Sequence, residues 1–285
     1  MSTTEDIKLL SYCNIAIQAG LKILDHYKNK LEIVKKLDKS PLTKADLDSN
    51  RIIIEGLKKI DNNIPVLSEE SLISWDIRKN WNKYWLIDPL DGTKEFINKI
   101  GEFTVNISLI ENYKPVLGII YAPTLSTLYY ASKNKGSYKI YCDNTLDNFD
   151  KSKKINVSLK KISEHLLIIG SRSHSNDDFD NWVKENINDY EIVKKGSSLK
   201  FCEIADGSAD IYPRFGPTSE WDIAAGHIIL LEAIIETLLV FFGILGSLIQ
   251  CVPTGANLNR GSRSSSSLLW VKIHSKLSRT CGALA

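Results

Sequence analysis

A short apolar run that leads straight into two aspartates constrains this chain more than any other feature of its sequence. Trp85-Leu86-Ile87 is aromatic and β-branched, which is typical of a strand that emerges from a buried core. Asp88-Pro89-Leu90-Asp91-Gly92 follows at once. Because proline has no backbone N–H, we predict that the strand stops at Pro89, and Gly92 then allows the backbone to bend.

The two aspartates are placed to bind a metal ion. Asp88 would lie at the strand end, and the bend would turn Asp91 to the same side, with the backbone carbonyl of Leu90 between them. Carboxylate and carbonyl oxygens are the ligands that hard cations such as Mg²⁺ prefer. An ordinary aspartate-rich turn is the alternative for a bare Asp-x-x-Asp-Gly stretch, so the longer context has to decide.

Periodicity predicts the elements of the first half of the chain. Apolar residues at helical spacing predict a helix over residues 7–28 and a second over 44–59, which Thr43 could cap. Strands are predicted at 66–68, 84–87, 104–111, 116–122, 127–131 and 139–142. Two helices followed by a run of strands indicate an α+β unit on a largely antiparallel sheet, which we assign to residues 1–150.

The pattern then changes to alternation of strands and helices. After a polar linker around residues 143–154, strands are predicted at 166–170, 191–194 and 209–213, and helices at 177–186, 199–205 and 222–232. Such alternation indicates an α/β unit, which we assign to residues 151–236. The predicted fold class of the whole chain is therefore α/β.

Residues 237–285 differ from the rest in charge. They contain five basic residues and no Asp or Glu, whereas residues 1–236 have a net charge of −3. Compact domains rarely divide their charge in this way, and we predict an atypical, out-of-frame or foreign C-terminal segment. Its apolar run from Thr237 to Val252 is slightly short for a membrane span, which favours a buried helix or an exposed apolar tail.

Cysteine usage and the N-terminus bear on location. The five cysteines are scattered and odd in number, which favours reduced thiols over a disulfide framework or a zinc site. The polar start from Met1 to Asp6 does not look like a signal peptide. We therefore expect a cytoplasmic protein without an integral membrane span, and leave peripheral association with the inner membrane open.

Six ordered motifs resemble those of the inositol monophosphatase superfamily. The continuation Lys94-Glu95-Phe96 and the later Gly101-Glu102-Phe103 are similar to one branch of it, the 3′(2′),5′-bisphosphate nucleotidases of the CysQ type. The resemblance extends from Ile7 to about Ala233. Its motifs are residues 43–46, 67–70, 88–107, 171–174, 196–202 and 209–222. The resemblance implies a layered α/β/α/β/α sandwich and a Mg²⁺-dependent phosphatase.

The resemblance also implies a metal-ligand set. It assigns Glu69, Asp88 and the Leu90 carbonyl to one Mg²⁺, and Asp88, Asp91 and Asp222 to a second. Two such ions can supply a nucleophilic hydroxide, relieve phosphoryl charge and stabilise the leaving group. Taken alone, Asp222 would more often be the N-cap of the helix that follows it. Glu69 is favoured over its neighbour Glu70, since adjacent strand residues point to opposite sides.

Thr93 and Asp46 are the predicted catalytic pair. They would orient and deprotonate the attacking water, with Thr93 passing a hydrogen bond between the water and a carboxylate. The alternative for Asp46 is an acidic first-turn residue that interacts with the helix dipole.

Substrate binding is predicted from polar groups at strand ends and a helix start. Lys94 and Arg214 could bind phosphate, and a guanidinium suits bidentate contact. The other candidates are Ser171, Ser173, His174, Ser197, Ser198 and Lys200. The Ser171–His174 stretch could instead be a solvated turn, and the serines at 197 and 198 could also cap the next helix.

The resemblance to the CysQ branch implies an enzyme that removes the 3′-phosphate of adenosine 3′,5′-bisphosphate, with 3′-phosphoadenylyl sulfate as a further substrate. Inositol monophosphate or a sugar bisphosphate at the same metal site is the nearest alternative. A non-catalytic nucleotide or metal-binding protein is the alternative from another class. No nucleic-acid partner is expected, because residues 1–236 lack a basic face with interleaved aromatics. A monomer and a homodimer are both compatible with the sequence.

Overall fold

The computed structural model describes residues 4–29, 33–35, 41–142, 145–146, 149–173 and 177–242. The chain begins with helix α1 (Thr4–Lys28), a short antiparallel pair of strands, β1 (Ile33–Lys35) and β2 (Pro41–Thr43), and helix α2 (Lys44–Ile60). Both predicted helices of this part are confirmed. Thr43 caps α2 as predicted, because its hydroxyl accepts the N–H of Ala45.

Seven strands then form one sheet in chain order, interrupted by two short helices, α3 (Trp75–Arg78) and α4 (Thr93–Ile97). Only the first pair of strands is parallel, so the prediction of a largely antiparallel sheet is confirmed. The strands are β3 (Val66–Ser68), β4 (Lys83–Asp91), β5 (Thr104–Glu111), β6 (Lys114–Ala122), β7 (Thr127–Ser132), β8 (Ser137–Tyr141) and β9 (Lys153–Ile155).

Strand β4 does not stop at Pro89, so that prediction is wrong. The strand continues to Asp91, with a shift of its register against β5 between Asp88 and Asp91. Irregular pairing of this kind tolerates a proline because the missing N–H is not needed in the ladder. The Pro89 carbonyl is itself satisfied, since it accepts the Ser49 hydroxyl at 2.7 Å.

Helices cover both faces of the seven-stranded sheet. On one face, α1 and α2 bury Ile17, Ile23 and Ile53 against strand residues such as Trp85 and Ile107. Strand β4 is buried continuously from Tyr84 to Leu90, as expected for a strand covered on both faces. Helix α1 is long and apolar enough to cross a bilayer by composition, but it lies here as a core helix.

The opposite face carries α6 (Leu199–Ala205) and the long helix α7 (Glu220–Phe242). Ala225, Ile228 and Ile229 of α7 pack with Ile120 of the sheet. At Gly118 of β6 a Cβ would come within 2.5 Å of the Ala225 carbonyl oxygen, so this close approach of helix and strand requires glycine.

A second, smaller layer follows. Strands β10 (Leu166–Ser171) and β11 (Tyr190–Lys195) are parallel, and helix α5 (Asp177–Asn186) packs on them through Val183. The predicted strand over 209–213 is wrong: the described structure has one isolated bridge there, between Ile211 and Ile168. Helices thus cover both faces of the first sheet and pack on the second, and the predicted α/β fold class is confirmed.

Two predicted boundaries need correction. The polar linker around 143–154 overlaps β9, which adds a seventh strand to the first sheet. The helix predicted at 222–232 begins earlier, at Glu220, and extends to Phe242. The division of the chain at residue 150 stays a prediction. Of the predicted C-terminal segment, residues 243–285 lie outside the described residues.

Candidate active site and metal centre

Three carboxylates from distant parts of the chain converge at the irregular end of β4. Asp88 and Asp91 come from this strand and Asp222 from the first turn of α7, and one oxygen of each lies within 4.8 Å of the other two. Asp88 is 2% exposed. In a regular strand, residues three positions apart point to opposite faces of the sheet. The register shift between Asp88 and Asp91 allows both side chains to lie on the same side.

Burial and mutual repulsion raise the pKa of two of these carboxylates, Asp88 and Asp222. Burial raises the pKa of Asp88 well above its usual value, and the charges of Glu69, Asp91 and Asp222 raise it further. Burial and Asp91 raise the pKa of Asp222 to about 6. Carboxylates held this close stay ionised at neutral pH only with cations between them. The donor set therefore fits Mg²⁺, which prefers oxygen ligands.

Glu69 lies directly after β3, beside the same cluster. Its backbone N–H donates to the Ile87 carbonyl at 3.2 Å, which extends the parallel pairing of β3 with β4 by one residue. Its negative charge is one of the causes that raise the pKa of Asp88.

Asp222 is not an N-cap, because α7 begins two residues before it. Its carboxylate accepts the Ser219 N–H and the Thr218 hydroxyl, both at 2.9 Å. An aspartate in this place also interacts favourably with the N-terminal end of the helix dipole. These bonds orient the side chain that meets Asp88 and Asp91.

Thr93 and Asp46 lie next to the cluster and contact each other. The Thr93 hydroxyl is 3.2 Å from Oδ1 of Asp46 and 3.1 Å from the Leu90 carbonyl oxygen. Asp46 is 1% exposed, and its other oxygen accepts the Thr43 N–H at 2.7 Å and the Thr43 hydroxyl at 2.6 Å. Asp46 is thus both the acidic first-turn residue of α2, in a capping box with Thr43, and the partner of Thr93.

Ser198 and Asn106 hold Asp91 in place, a role that the sequence did not reveal for either residue. The Ser198 hydroxyl donates to Asp91 at 2.7 Å and lies 3.0 Å from the Asp222 carbonyl oxygen. Asn106, opposite Asp88 on β5, donates to Ser198 at 2.8 Å. The available signal was an asparagine inside an otherwise apolar strand, since buried amides are usually hydrogen-bonded.

The other predicted substrate residues fall into two groups. Lys94 is exposed, Ser171 is half-buried, and the hydroxyl of the exposed Ser173 donates to Glu95. His174 lies outside the described residues.

Lys200, Ser197 and Arg214 are more enclosed. Lys200 is 5% exposed, and its ammonium group donates to the Ser197 carbonyl. Arg214 donates to the Tyr212 hydroxyl at 2.9 Å and to the Pro217 carbonyl at 2.8 Å. Ser198 makes no side-chain cap on α6, whereas the Ser197 hydroxyl accepts the Leu199 N–H at 3.5 Å. Of the two serines predicted to cap this helix, only Ser197 contacts its start.

Sequence reasoning also missed an ion pair beside this site, between the residue after β10 and the loop before β5. Arg172 donates two hydrogen bonds to Glu102, at 2.6 and 2.7 Å, and Glu102 also accepts the Gly196 N–H at 2.7 Å. Despite partial burial, these bonds hold the pKa of Glu102 below its usual value. They fix the loop before α6, which carries Ser197 and Ser198.

Residues 7–233 match the inositol monophosphatase family. The chain belongs to the inositol monophosphatase family. A 3′(2′),5′-bisphosphate nucleotidase CysQ from Salmonella typhimurium is 45% identical over 223 residues, which cover 78% of this chain and 86% of that protein. The protein of the same name from Buchnera aphidicola is 47% identical over 225 residues, covering 78% and 80%.

Solved structures of members of this family superpose on the chain. CysQ from Bacteroides thetaiotaomicron superposes with a TM-score of 0.69 at 38% identity, covering 78% of this chain and 85% of that one. An IMPase from Thermotoga maritima superposes with a TM-score of 0.63 at 22% identity, which supports the fold alone.

Within this family fold, Glu69 and Glu70 offer a matched pair of variants. We expect Glu69→Gln to weaken Mg²⁺ binding and activity by about 10-fold or more, because its charge faces Asp88. Glu70→Gln should stay near the wild type. Titration of both variants with Mg²⁺ tests this, and equal losses in the two would contradict it.

Proposed function

We propose that the chain is a Mg²⁺-dependent phosphatase that removes the 3′-phosphate of adenosine 3′,5′-bisphosphate and yields AMP. The convergence of Asp88, Asp91 and Asp222 beside the Thr93–Asp46 pair carries the proposal. The name of the CysQ relatives, which are 45% and 47% identical, indicates the nucleotide bisphosphate as the substrate. We extend the proposal to 3′-phosphoadenylyl sulfate, and to a cytoplasmic location.

Five groups would hold the metal ions. They are Glu69, Asp88, Asp91, Asp222 and the Leu90 carbonyl. When bound, Mg²⁺ ions supply charge relief for the phosphoryl oxygens and leaving group and lower the pKa of water.

Thr93 and Asp46 would then handle the proton of the attacking water. The Thr93 hydroxyl can donate to Oδ1 of Asp46 while its oxygen accepts a hydrogen bond from the water. The two hydrogen bonds that Asp46 accepts from Thr43 hold its carboxylate in place, with Oδ1 next to the Thr93 hydroxyl. The pair can thereby orient the water and receive its proton.

The positive groups near the cluster would bind the two phosphates. Lys200 and Arg214 lie close enough to Asp91 and Asp222 for their charges to interact. Lys94 follows Thr93 directly and is exposed. Ser171, Ser173, His174 and Ser197 remain proposed contacts of the nucleotide. For Ser198 we propose an indirect part, since its hydroxyl is engaged by Asp91 and Asn106.

The decisive experiment measures phosphate release from adenosine 3′,5′-bisphosphate, inositol 1-phosphate and fructose 1,6-bisphosphate, with and without Mg²⁺. The proposal expects turnover of the nucleotide above the other two substrates, and loss of that turnover in EDTA. Preference for inositol 1-phosphate or the sugar would replace the nucleotidase by the alternative phosphatase. Absence of turnover with intact Mg²⁺ binding would favour a non-catalytic role.

The Thr93–Asp46 pair can be tested at Thr93 with matched variants. Thr93→Val keeps the shape of the side chain but removes the hydroxyl, so we expect kcat to fall by about 100-fold or more. Thr93→Ser keeps the hydroxyl and should retain most of the activity. Steady-state kinetics at saturating Mg²⁺ give the comparison, and a valine variant with wild-type kcat would eliminate the proposed role.

A further inference from the structure

A largely buried ion pair connects the segment after β3, which begins with Glu69, to the start of α7, which carries Asp222. Arg78 of α3 donates from Nη1 to Oε1 of Glu220 at 2.5 Å, across 142 positions of sequence. The two side chains are only 10% and 16% exposed. A charge pair withdrawn from water this far interacts more strongly than a surface pair, and loss of one partner leaves a costly buried charge.

The pair sits in an aromatic environment that limits its movement. The Arg78 guanidinium carbon lies 5.6 Å from the centre of the Trp75 ring. Arg78 lines a small cavity together with Trp75, Trp81, Tyr84 and Tyr113. Trp221, the residue after Glu220, packs into the apolar cluster that includes Tyr84. A planar guanidinium held on a ring face has few alternative positions.

The position of the pair along the chain gives it a consequence for the metal centre. Arg78 belongs to the excursion between β3 and β4, which starts with Glu69. Glu220 is the first residue of α7 and lies two positions before Asp222. Asp222 reaches Asp88 and Asp91 from a separate helix, so its distance from them depends on where the first turn of α7 is held.

We propose that Arg78 and Glu220 form a clamp, the Arg78–Glu220 clamp, that positions Asp222 for Mg²⁺ binding. Neither residue belongs to the carboxylate cluster, so both are positioning residues. The clamp holds the N-terminus of α7 against the β3–β4 excursion and so keeps the Asp222 carboxylate within reach of Asp88 and Asp91. This inference rests on the proposed metal site but not on the identity of the substrate.

The test measures Mg²⁺ binding by calorimetry without substrate, together with kcat and KM as functions of Mg²⁺. Arg78→Met should weaken Mg²⁺ binding by about 10-fold or more, the range seen when partners of metal ligands are removed. Its kcat should recover as Mg²⁺ is raised, with KM for the nucleotide unchanged at saturation. Arg78→Lys, which keeps the charge, should recover a large part of the affinity.

Lys8→Met is the matched control. It removes the ion pair between Lys8 of α1 and Asp61, the residue directly after α2, on the other face of the sheet. This variant should bind Mg²⁺ like the wild type. If Arg78→Met does not fold, the same Mg²⁺ titration is made with Glu220→Gln. This variant keeps the shape of the side chain and loses its negative charge.

Wild-type Mg²⁺ affinity in Arg78→Met or in Glu220→Gln would overturn the clamp, as would an equal loss in Lys8→Met. A wild-type protein that binds Mg²⁺ but hydrolyses no nucleotide bisphosphate would instead overturn the proposed function and leave the clamp testable. A loss of kcat in Arg78→Met that excess Mg²⁺ does not restore would also count against a positioning role.

Discussion

Asp91→Asn is expected to reduce nucleotide hydrolysis by more than about 100-fold, because changes around metal ligands alone cost 10–100-fold. Asp91 lies in the carboxylate cluster and accepts the Ser198 hydroxyl, so the asparagine removes a negative charge and introduces an N–H₂ group that cannot ligate a cation. Phosphate release at several Mg²⁺ concentrations, with calorimetric Mg²⁺ binding, measures both consequences.

An aspartate of the same type on the surface provides the control for this variant. Asp25 of α1 is 63% exposed and pairs only with Lys22 among the partners found in the described structure. Asp25→Asn should leave hydrolysis and Mg²⁺ binding at wild-type levels. An Asp91→Asn protein with more than a tenth of wild-type turnover would remove Asp91 from the metal centre.

The second large effect concerns stability without Mg²⁺. Burial and neighbouring charges raise the folded-state pKa of Asp88, and they raise that of Asp222 to about 6. The unfolded chain ionises these groups near their usual pKa of about 4, so between these values it binds fewer protons than the folded protein. The free energy of unfolding should therefore fall as the pH rises from about 4 through 6 and beyond.

The raised pKa of Asp222 alone corresponds to roughly 3 kcal/mol of this loss. Bound Mg²⁺ offsets the repulsion, so its addition at neutral pH should restore stability, whereas at about pH 4 it should have little effect. Urea unfolding in EDTA and in Mg²⁺ across this pH range measures the difference.

Asp88→Asn separates the two contributions. The variant should be more stable than the wild type in EDTA at neutral pH, because it removes the most buried charge of the cluster. It should also gain little from Mg²⁺. Stability of the metal-free wild type that rises with pH over this range would contradict the repulsion between the carboxylates.

Local patterns predicted most of the secondary structure correctly. Helices at 44–59 and 177–186 and the strand at 104–111 follow directly from apolar spacing, since periods of 3.6 and 2 decide which face is buried. The errors occur where tertiary contacts overrule local preference. Pro89 remains within β4 because the register shift between Asp88 and Asp91 does not need its missing N–H. Residues 209–213 make one bridge instead of a strand.

The sequence by itself determined the family, the order of elements and the chemical types at the candidate site, because these depend on residue identity and spacing. Only the tertiary structure decided which distant groups meet. Ser198 and Asn106 support Asp91, Arg172 pairs with Glu102, and Arg78 pairs with Glu220. Such contacts depend on how helices and sheet pack in three dimensions, which short-range patterns in the chain do not encode.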